Sequence, residues 1–282
     1  MTAPQYLICT DLDRTLLPNG PEPESPRARP LFARLAGRPD LAVAYVTGRH
    51  LTLLEQAIAE YRLPQPSFAI TDVGTRIQAW TGGRWRKWRD WEAAIDPDWA
   101  GHDNAGLTGL FADLTALSLQ EAAKQNRHKL SYYVSLQADR EELLNAMAAR
   151  LRALGVRASL VWSIDEPAAI GLLDVLPESA TKLHAVEFLR QRLGLEYKAV
   201  TFAGDSGNDL DVMASAVPSI LVANASASVR RSAQDMARDA GHPTALYLAR
   251  GGYLGMNGNY AAGILEGLVH FRPEFGPWIE GT

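Results

Sequence analysis

The stretch Tyr6-Leu7-Ile8-Cys9-Thr10-Asp11-Leu12-Asp13-Arg14-Thr15-Leu16-Leu17 decides the fold. Its first half is an apolar run, the mark of a strand buried on both faces, as in parallel sheets. Two carboxylates, Asp11 and Asp13, follow where that strand ends. In open α/β sheets the carboxyl ends of the central strands are where ligands bind. Alternate strand residues share one side, so the two groups can converge on one small volume. Anions held that close repel unless a cation or a shared proton relieves them. The pair therefore asks for a metal ion, and hard oxygen donors suggest Mg²⁺. Taken alone, Asp-x-Asp also fits a turn whose carboxylates cap backbone amides.

The surrounding chain has 282 residues, a length that suits two domains. With 47% hydrophobic and 21% charged residues it has the composition of a globular protein with a sizeable core. A net charge of -4 speaks against a nucleic-acid binder, which carries a basic excess. Cys9, the single cysteine, lies inside the apolar strand and reads as a core residue. A disulfide framework is thereby excluded and a reducing compartment expected. The sequence runs directly into its first strand, leaving no room for a signal peptide. No stretch approaches the roughly 18 apolar residues of a membrane span, so a cytoplasmic protein without membrane contact is expected.

After Asp13, residues 18–30 form a polar, proline-rich loop, and 31–37 a turn or two of helix. Residues 41–46 are a second buried strand ending in Thr47-Gly48-Arg49-His50, where a hydroxyl and an open backbone N–H could meet an anion. Thr47 as an ordinary helix N-cap fits equally well. A helix over 51–61 and a third strand over 68–71 follow. Five of the seven tryptophans (Trp80, Trp85, Trp88, Trp91, Trp99) then fall among Arg84, Arg86, Lys87 and Arg89. Interleaved bases and aromatics suit single-stranded nucleic acid, but the acidic chain favours a strand and loop packing a small second domain. Helical patterns at 105–124 and 140–154, with strand candidates at 129–136 and 158–163, suggest an inserted α+β module. Residues 170–177 would lead the chain back.

The next helix opens near Ser179 and carries Lys182 in its first turn, where the macrodipole disfavours a cation. An anion within reach would explain it, and a surface lysine mildly out of place is the alternative. A buried strand over 199–203 precedes Gly204-Asp205-Ser206-Gly207-Asn208-Asp209, an acidic loop opening a helix, with Asp205 and Asp209 four apart. A strand over 220–224 and a closing helix over 262–270 complete a doubly wound parallel α/β sheet with an insert.

Four strand or helix beginnings thus carry Asp11/Asp13, Thr47-Gly48, Lys182 and Asp205/Asp209, in that order. The series resembles the haloacid dehalogenase-like phosphatases: Asp-x-Asp-x-Thr, then Thr or Ser, then Lys, then Gly-Asp-x-x-Asn-Asp. The resemblance implies a Rossmann-like core over 1–80 and 172–282. An α+β cap of the C2 type, over 81–171, would close over small phosphates. It further implies that Asp11 attacks phosphorus to form an aspartyl phosphate, while Asp13 protonates the leaving oxygen and then activates water. Mg²⁺ would be held by Asp11, Asp205 and the Asp13 carbonyl, with Asp209 in support. Thr47, Gly48, Lys182 and Asn208 would bind the phosphate, with Ser206 in the surrounding shell.

A finer resemblance, to the sucrose-phosphate phosphatase family, rests on Asp11-Leu12-Asp13-Arg14-Thr15, Tyr45-Val46-Thr47-Gly48-Arg49, Lys129-Leu130-Ser131-Tyr132, Asp174-Val175-Leu176-Pro177, the 204–209 loop, and Gly263-Ile264-Leu265-Glu266-Gly267-Leu268-Val269-His270-Phe271. It implies a disaccharide phosphate, sucrose 6-phosphate first. Mannosylfructose phosphate, glucosylglycerol phosphate or a hexose phosphate are the alternatives, and a sucrose-phosphate synthase-type glycosyltransferase is the implied functional partner. Arg49 and, in the cap, Gln125, Asn126, Lys129 and Tyr132 are candidate sugar contacts. Arg14 and Leu183 depart from the small residue and the glycine common at their positions, and neither removes a catalytic group. Gly204-Asp205-Ser206-Gly207 also matches a chymotrypsin-like fragment, but that fold is all-β. A phospho-receiver module shares the clustered aspartates, Thr and Lys, but not the large insert or a nucleophile on the first strand.

Overall fold

The computed structural model describes residues 4–165 and 168–281. In chain order it opens with β1 (Tyr6–Thr10), α1 (Ala28–Ala36), β2 (Leu41–Val46), α2 (Leu51–Glu60) and β3 (Phe68–Thr71). The hairpin of β4 (Arg76–Thr81) and β5 (Arg84–Lys87) follows. The middle stretch holds α3 (Arg89–Ile95), α4 (Asn104–Leu110), β6 (Leu117–Leu119) and β7 (Leu130–Val134). It goes on through α5 (Arg140–Ala153), β8 (Ala158–Asp165) and β9 (Ile170–Pro177). The last stretch is α6 (Lys182–Arg192), β10 (Val200–Gly204), α7 (Leu210–Met213), β11 (Ser219–Leu221) and α8 (Ala227–Asp239). It closes with β12 (Leu246–Leu248), α9 (Ala261–Phe271) and α10 (Phe275–Glu280).

Two compact units result, Trp88–Thr181 and the two stretches flanking it. In the larger unit eight strands run β12-β11-β10-β1-β2-β3-β4-β5. The strands from β12 to β3 pair in parallel, and β4 and β5 add antiparallel. The chain leaves β1 toward β2 on one side and later returns to β10 on the other, so strand order reverses at β1. Such a switch point opens a crevice at the carboxyl ends. Every residue of β2 is buried, which is why it reads as an unbroken apolar run. At one edge β12 has only three residues, and at the other β5 exposes Arg84, Arg86 and Lys87, two ways of discouraging further pairing.

Helix α9 lies so close to β11 that a Cβ on Gly267 would stand 2.4 Å from Ile220 Cγ1. Alanine gains up to about 1 kcal/mol in helix propensity, whereas forcing a methyl into a filled core costs about 1–3 kcal/mol. Gly267→Ala is therefore expected to lose up to about 2 kcal/mol, read from the urea midpoint at unchanged slope.

The smaller unit holds an antiparallel sheet in the order β6-β7-β9-β8. Leu143, Met147 and Leu151 of α5 belong to one apolar cluster with Leu130 and Val134 of β7 and Leu173 and Val175 of β9. Asp139 caps α5, its carboxylate accepting from the Glu142 N–H at 2.9 Å. The helix expected over 105–124 ends at Leu110. Gly106 and Gly109 weaken it, and alternating Leu117 and Leu119 join β7 as β6 instead. Residues 170–177 are not a return path but an inner strand of this sheet. The units consequently divide at 87/88 and 181/182, later than the 81–171 insert expected. The tryptophans split as well: Trp80 and Trp85 meet edge to face at 5.2 Å on β4 and β5, while Trp91 and Trp99 are fully buried in the smaller unit. Among the described residues no helix is long and apolar enough to cross a membrane.

Candidate active site

The site grows from the carboxyl ends of β1, β2 and β10 and the first residue of α6. The Asp11 N–H donates to the Ala203 carbonyl at 2.8 Å, carrying the β1–β10 ladder one residue past the strand. Asp11 is thereby held in the crevice, 6% exposed. The chain then turns sharply about one acceptor: the Leu12 carbonyl takes the N–H groups of Thr15, Leu16 and Leu17 at 3.1, 3.0 and 2.8 Å. Arg14, in that turn, has φ of 60°. After β2, the Thr47 N–H extends the ladder to Ile70 at 2.8 Å, and the Arg49 N–H donates to Thr47 Oγ1 at 3.1 Å. The loop after β3 supports this turn, the Asp72 N–H donating to the Arg49 carbonyl at 3.0 Å.

At the end of β10, Gly204 is required by close approach: a Cβ there would lie 2.5 Å from the Asp209 carboxyl carbon. Asp209 Oδ2 in turn accepts from the backbone of Asp205 and Ser206, at 3.1 Å each, and from Ser206 Oγ at 3.2 Å. That capping box fixes the loop opening the following helical turn.

Lys182 joins the motifs. Its ammonium donates to Asp11 Oδ1 at 2.9 Å, Asp209 Oδ1 at 2.7 Å and Asn208 Oδ1 at 2.9 Å, with the residue 4% exposed. Carboxylate oxygens of Asp11, Asp205 and Asp209 all lie within 4.8 Å of one another. Burial pushes Asp11 up to about 7 against the pull of Lys182, with Asp209 and Asp205 adding to the rise. Burial and then Asp209 lift Asp205 to about 6, which the Thr15 hydroxyl moderates. For Lys182, burial opposes the charge, but Asp11 and Asp209 hold it protonated, above the usual lysine range. Three buried carboxylates against one ammonium leave an excess of negative charge, and the donors are all hard oxygen. This set fits a divalent cation.

A pH dependence follows. In the cation-free protein Asp11 and Asp205 bind protons more tightly folded than unfolded. Their contribution to stability is present at acid pH and is lost as pH rises from the ordinary 3.8 toward about 6 and 7. Cation binding must expel those protons. Affinity is expected to rise by up to about tenfold per pH unit for each proton displaced below pH 7, and then to level. Calorimetry in buffers of different ionisation enthalpy would count the protons.

Asp13 stands apart. Its carboxylate is outside the three-acid cluster, its side chain is 42% exposed, and Arg49 grips it in two places, Nε to Oδ2 at 2.8 Å and Nη2 to Oδ1 at 2.6 Å. Asn19 Nδ2 adds 2.7 Å to Oδ1. Burial opposes ionisation, but these donors prevail and hold the group below the usual carboxylate range. Arg49, expected at the sugar, thus faces Asp13.

The other candidate sugar contacts lie in the smaller unit and are engaged there. Gln125 Nε2 donates to the Ser131 carbonyl at 2.8 Å and its Oε1 accepts from the Ser131 N–H at 2.8 Å. Lys129 Nζ meets Ser131 Oγ at 2.5 Å and Asp174 Oδ1 at 2.9 Å. Asn126 Oδ1 accepts from the His128 N–H at 2.8 Å. Tyr132 is 3% exposed and its ring packs edge to face on Phe111 at 6.3 Å. Two contributors were known in sequence only as parts of the first motif, without a role at Asp205. Thr15 Oγ1 donates to Asp205 Oδ1 at 2.9 Å, and Arg14 Nε lies 3.6 Å from Asp205 Oδ2. Thr15 stands inside the first motif, which was its signal.

The doubly wound sheet, with acids from β1 and the β10 loop gathered round a helix lysine, defines a haloacid dehalogenase-like hydrolase. Within that class the chain belongs to the sucrose-6F-phosphate phosphohydrolase family, whose model matches residues 4–272. A Nitrosococcus oceani protein whose description goes no further than HAD-like hydrolase is 54% identical over 98% of this chain and 74% of its own length. Sucrose-phosphatase 1 of Nicotiana tabacum is 28% identical over 96% of this chain, which spans only 60% of that relative. The solved structure of the sucrose-phosphatase from Synechocystis sp. PCC6803, in complex with sucrose and phosphate, shares the fold. The TM-score is 0.69 at 23% identity, covering 95% of this chain and 98% of that one.

Proposed function

We propose that this chain is a Mg²⁺-dependent phosphatase of sugar phosphates, with sucrose 6-phosphate the favoured substrate. The observation that carries the reaction class is Lys182 bonded to Asp11 and Asp209 beside Asp205, a cluster built to hold a cation and a phosphoryl group. The family match over 4–272 and the tobacco relative support the choice of sugar.

Asp11 would attack phosphorus, forming an oxygen–phosphorus bond as the bond to the sugar oxygen breaks. Asp13 would supply the proton that oxygen takes up, and would then accept one from the water that cleaves the aspartyl phosphate to inorganic phosphate. The grip of Arg49 keeps Asp13 ionised, so a phosphate dianion drawing Arg49 toward itself would free Asp13 to be protonated. Thr47 Oγ1, already accepting from the Arg49 N–H, keeps its own proton for a phosphoryl oxygen. The Gly48 N–H, Lys182 and Asn208 would complete that cradle. Mg²⁺, held by Asp11, Asp205 and the Asp13 carbonyl with Asp209 behind them, would neutralise charge on the carboxylates and the phosphoryl group.

The smaller unit, read as a cap, is assigned the choice of substrate, and sugar hydroxyls would replace the internal bonds of Gln125, Asn126 and Lys129. A cytoplasmic setting and a sucrose-phosphate synthase-type glycosyltransferase supplying the substrate complete the reading. A phosphate-release screen over sucrose 6-phosphate, mannosylfructose phosphate, glucosylglycerol phosphate and hexose phosphates, with and without Mg²⁺, tests it. Mg²⁺-dependent turnover highest on sucrose 6-phosphate is expected. Turnover confined to another sugar would overturn the substrate, and none on any sugar phosphate would overturn the reaction.

A further inference from the structure

We propose that Asn224 is a positioning residue for the active site: it locks the turn after Asp13 by holding the Arg14 carbonyl, and so aims the peptide that leads to Thr15 and its bond to Asp205. Asn224 lies just past β11, outside all four motifs, and is 6% exposed. Its Nδ2 donates to the Arg14 carbonyl at 2.6 Å and its Oδ1 accepts from the Tyr260 N–H at 2.8 Å. Both partners are held at positive φ, Arg14 at 60° and Tyr260 at 51°. Side chains disfavour that region, so each conformation needs an outside restraint. The Arg14 N–H has its own, donating to Asn19 Oδ1 at 2.7 Å.

Two amide side chains therefore grip Arg14, one on its N–H and one on its C=O. Within a trans peptide the N–H and the preceding C=O are fixed in one plane. Holding the Arg14 N–H thus sets the direction of the Asp13 carbonyl, and holding the Arg14 carbonyl sets the next peptide, which leads to Thr15 and its bond to Asp205. An amide carries its donor and its acceptor on separate atoms, so Asn224 can give to the Arg14 carbonyl and take from the Tyr260 N–H at the same time. An aspartate at 224 would present an oxygen to the Arg14 carbonyl, and an alanine nothing.

The inference rests on the phosphatase reading for its catalytic part. Asn224→Ala and the near-isosteric Asn224→Asp would be compared with wild type for turnover of sucrose 6-phosphate and, independently of activity, for the rise in melting temperature as Mg²⁺ is added. Both variants should lose about ten- to hundred-fold in kcat with KM little changed, and need about tenfold more Mg²⁺ for half of the thermal shift. Asn257→Ala breaks bonds at 2.8 and 2.9 Å that stitch the same loop to Pro23 and Ser25 without touching Arg14, and should leave both readouts at wild-type values. Folded Asn224 variants with wild-type kcat and Mg²⁺ response, whatever their melting temperature, would overturn the proposal. So would an Asn257→Ala variant with the same losses. A wild type inert toward sugar phosphates would instead sink the phosphatase reading, and the Mg²⁺ response of the Asn224 variants would still decide the lock.

Discussion

With Asp11 as the proposed nucleophile, phosphate release by the Asp11→Asn variant is expected to fall on the order of 10⁴- to 10⁶-fold, the loss typical of removing a nucleophile. The fold should survive. Asn is isosteric, its Oδ1 can still accept from Lys182, and Lys182 keeps its bonds to Asp209 and Asn208. The substitution also takes one negative charge from a buried group of three carboxylates facing one ammonium. In the presence of a chelator the variant should therefore melt at or above the wild-type temperature at neutral pH. With Mg²⁺ the order should invert, because the wild type gains a ligand that the variant holds poorly. Normal turnover in a folded Asp11→Asn variant would exclude the covalent step.

Lys182→Met should have the opposite profile, losing stability as well as activity. Removing the ammonium leaves Asp11 and Asp209 without the partner now 2.9 and 2.7 Å away, and breaking a buried pair from one side costs about 3–5 kcal/mol. Turnover should drop about 10²- to 10³-fold if Lys182 has the phosphoryl-binding role proposed above. The sign of the pH effect separates this from a general packing defect. Lys182 lowers both Asp11 and Asp205, so without it both rise further above their unfolded values. Their contribution is then kept at acid pH and lost over a wider span as pH climbs. The stability gap to wild type should be small near pH 4, grow toward pH 8, and shrink again when Mg²⁺ is added. Urea unfolding at several pH values would show it, and a gap independent of pH would contradict the charge argument.

The centre of this molecule is legible in its sequence because the centre of a parallel sheet is written in unbroken apolar runs. β1, β2 and β10 are such runs, and each ends where a carboxylate, a hydroxyl or a glycine interrupts it. Lys182 was legible for another reason, being a cation in a helix turn where the backbone dipole opposes it. The periphery was not. β12 has three residues, too few for any period, and α8 (Ala227–Asp239) buries only Ala233 and Ala237 fully, so no apolar stripe announces it. The helix expected over 105–124 stopped at Leu110 because the leucines beyond it, at helical spacing, also satisfy a short alternating strand, and Leu117–Leu119 pairs with β7. Pairings across the fold were beyond reach as well. Nothing in the spacing of Asp13 and Arg49, or of Thr15 and Asp205, tells that they touch. Asn224 read as an ordinary strand end, because an amide that bonds two backbones looks no different in sequence from one facing water.

The position of β1 in the sheet has a consequence for synthesis. Leu7 pairs on one flank with Ala42 and on the other with Val200. A nascent chain can satisfy the first flank early, but the second stays open until most of the polypeptide has left the ribosome. For that interval an apolar strand with unpaired amides faces solvent, an invitation to wrong partners. Truncated products ending before β10 should therefore aggregate, which sedimentation of such fragments would show.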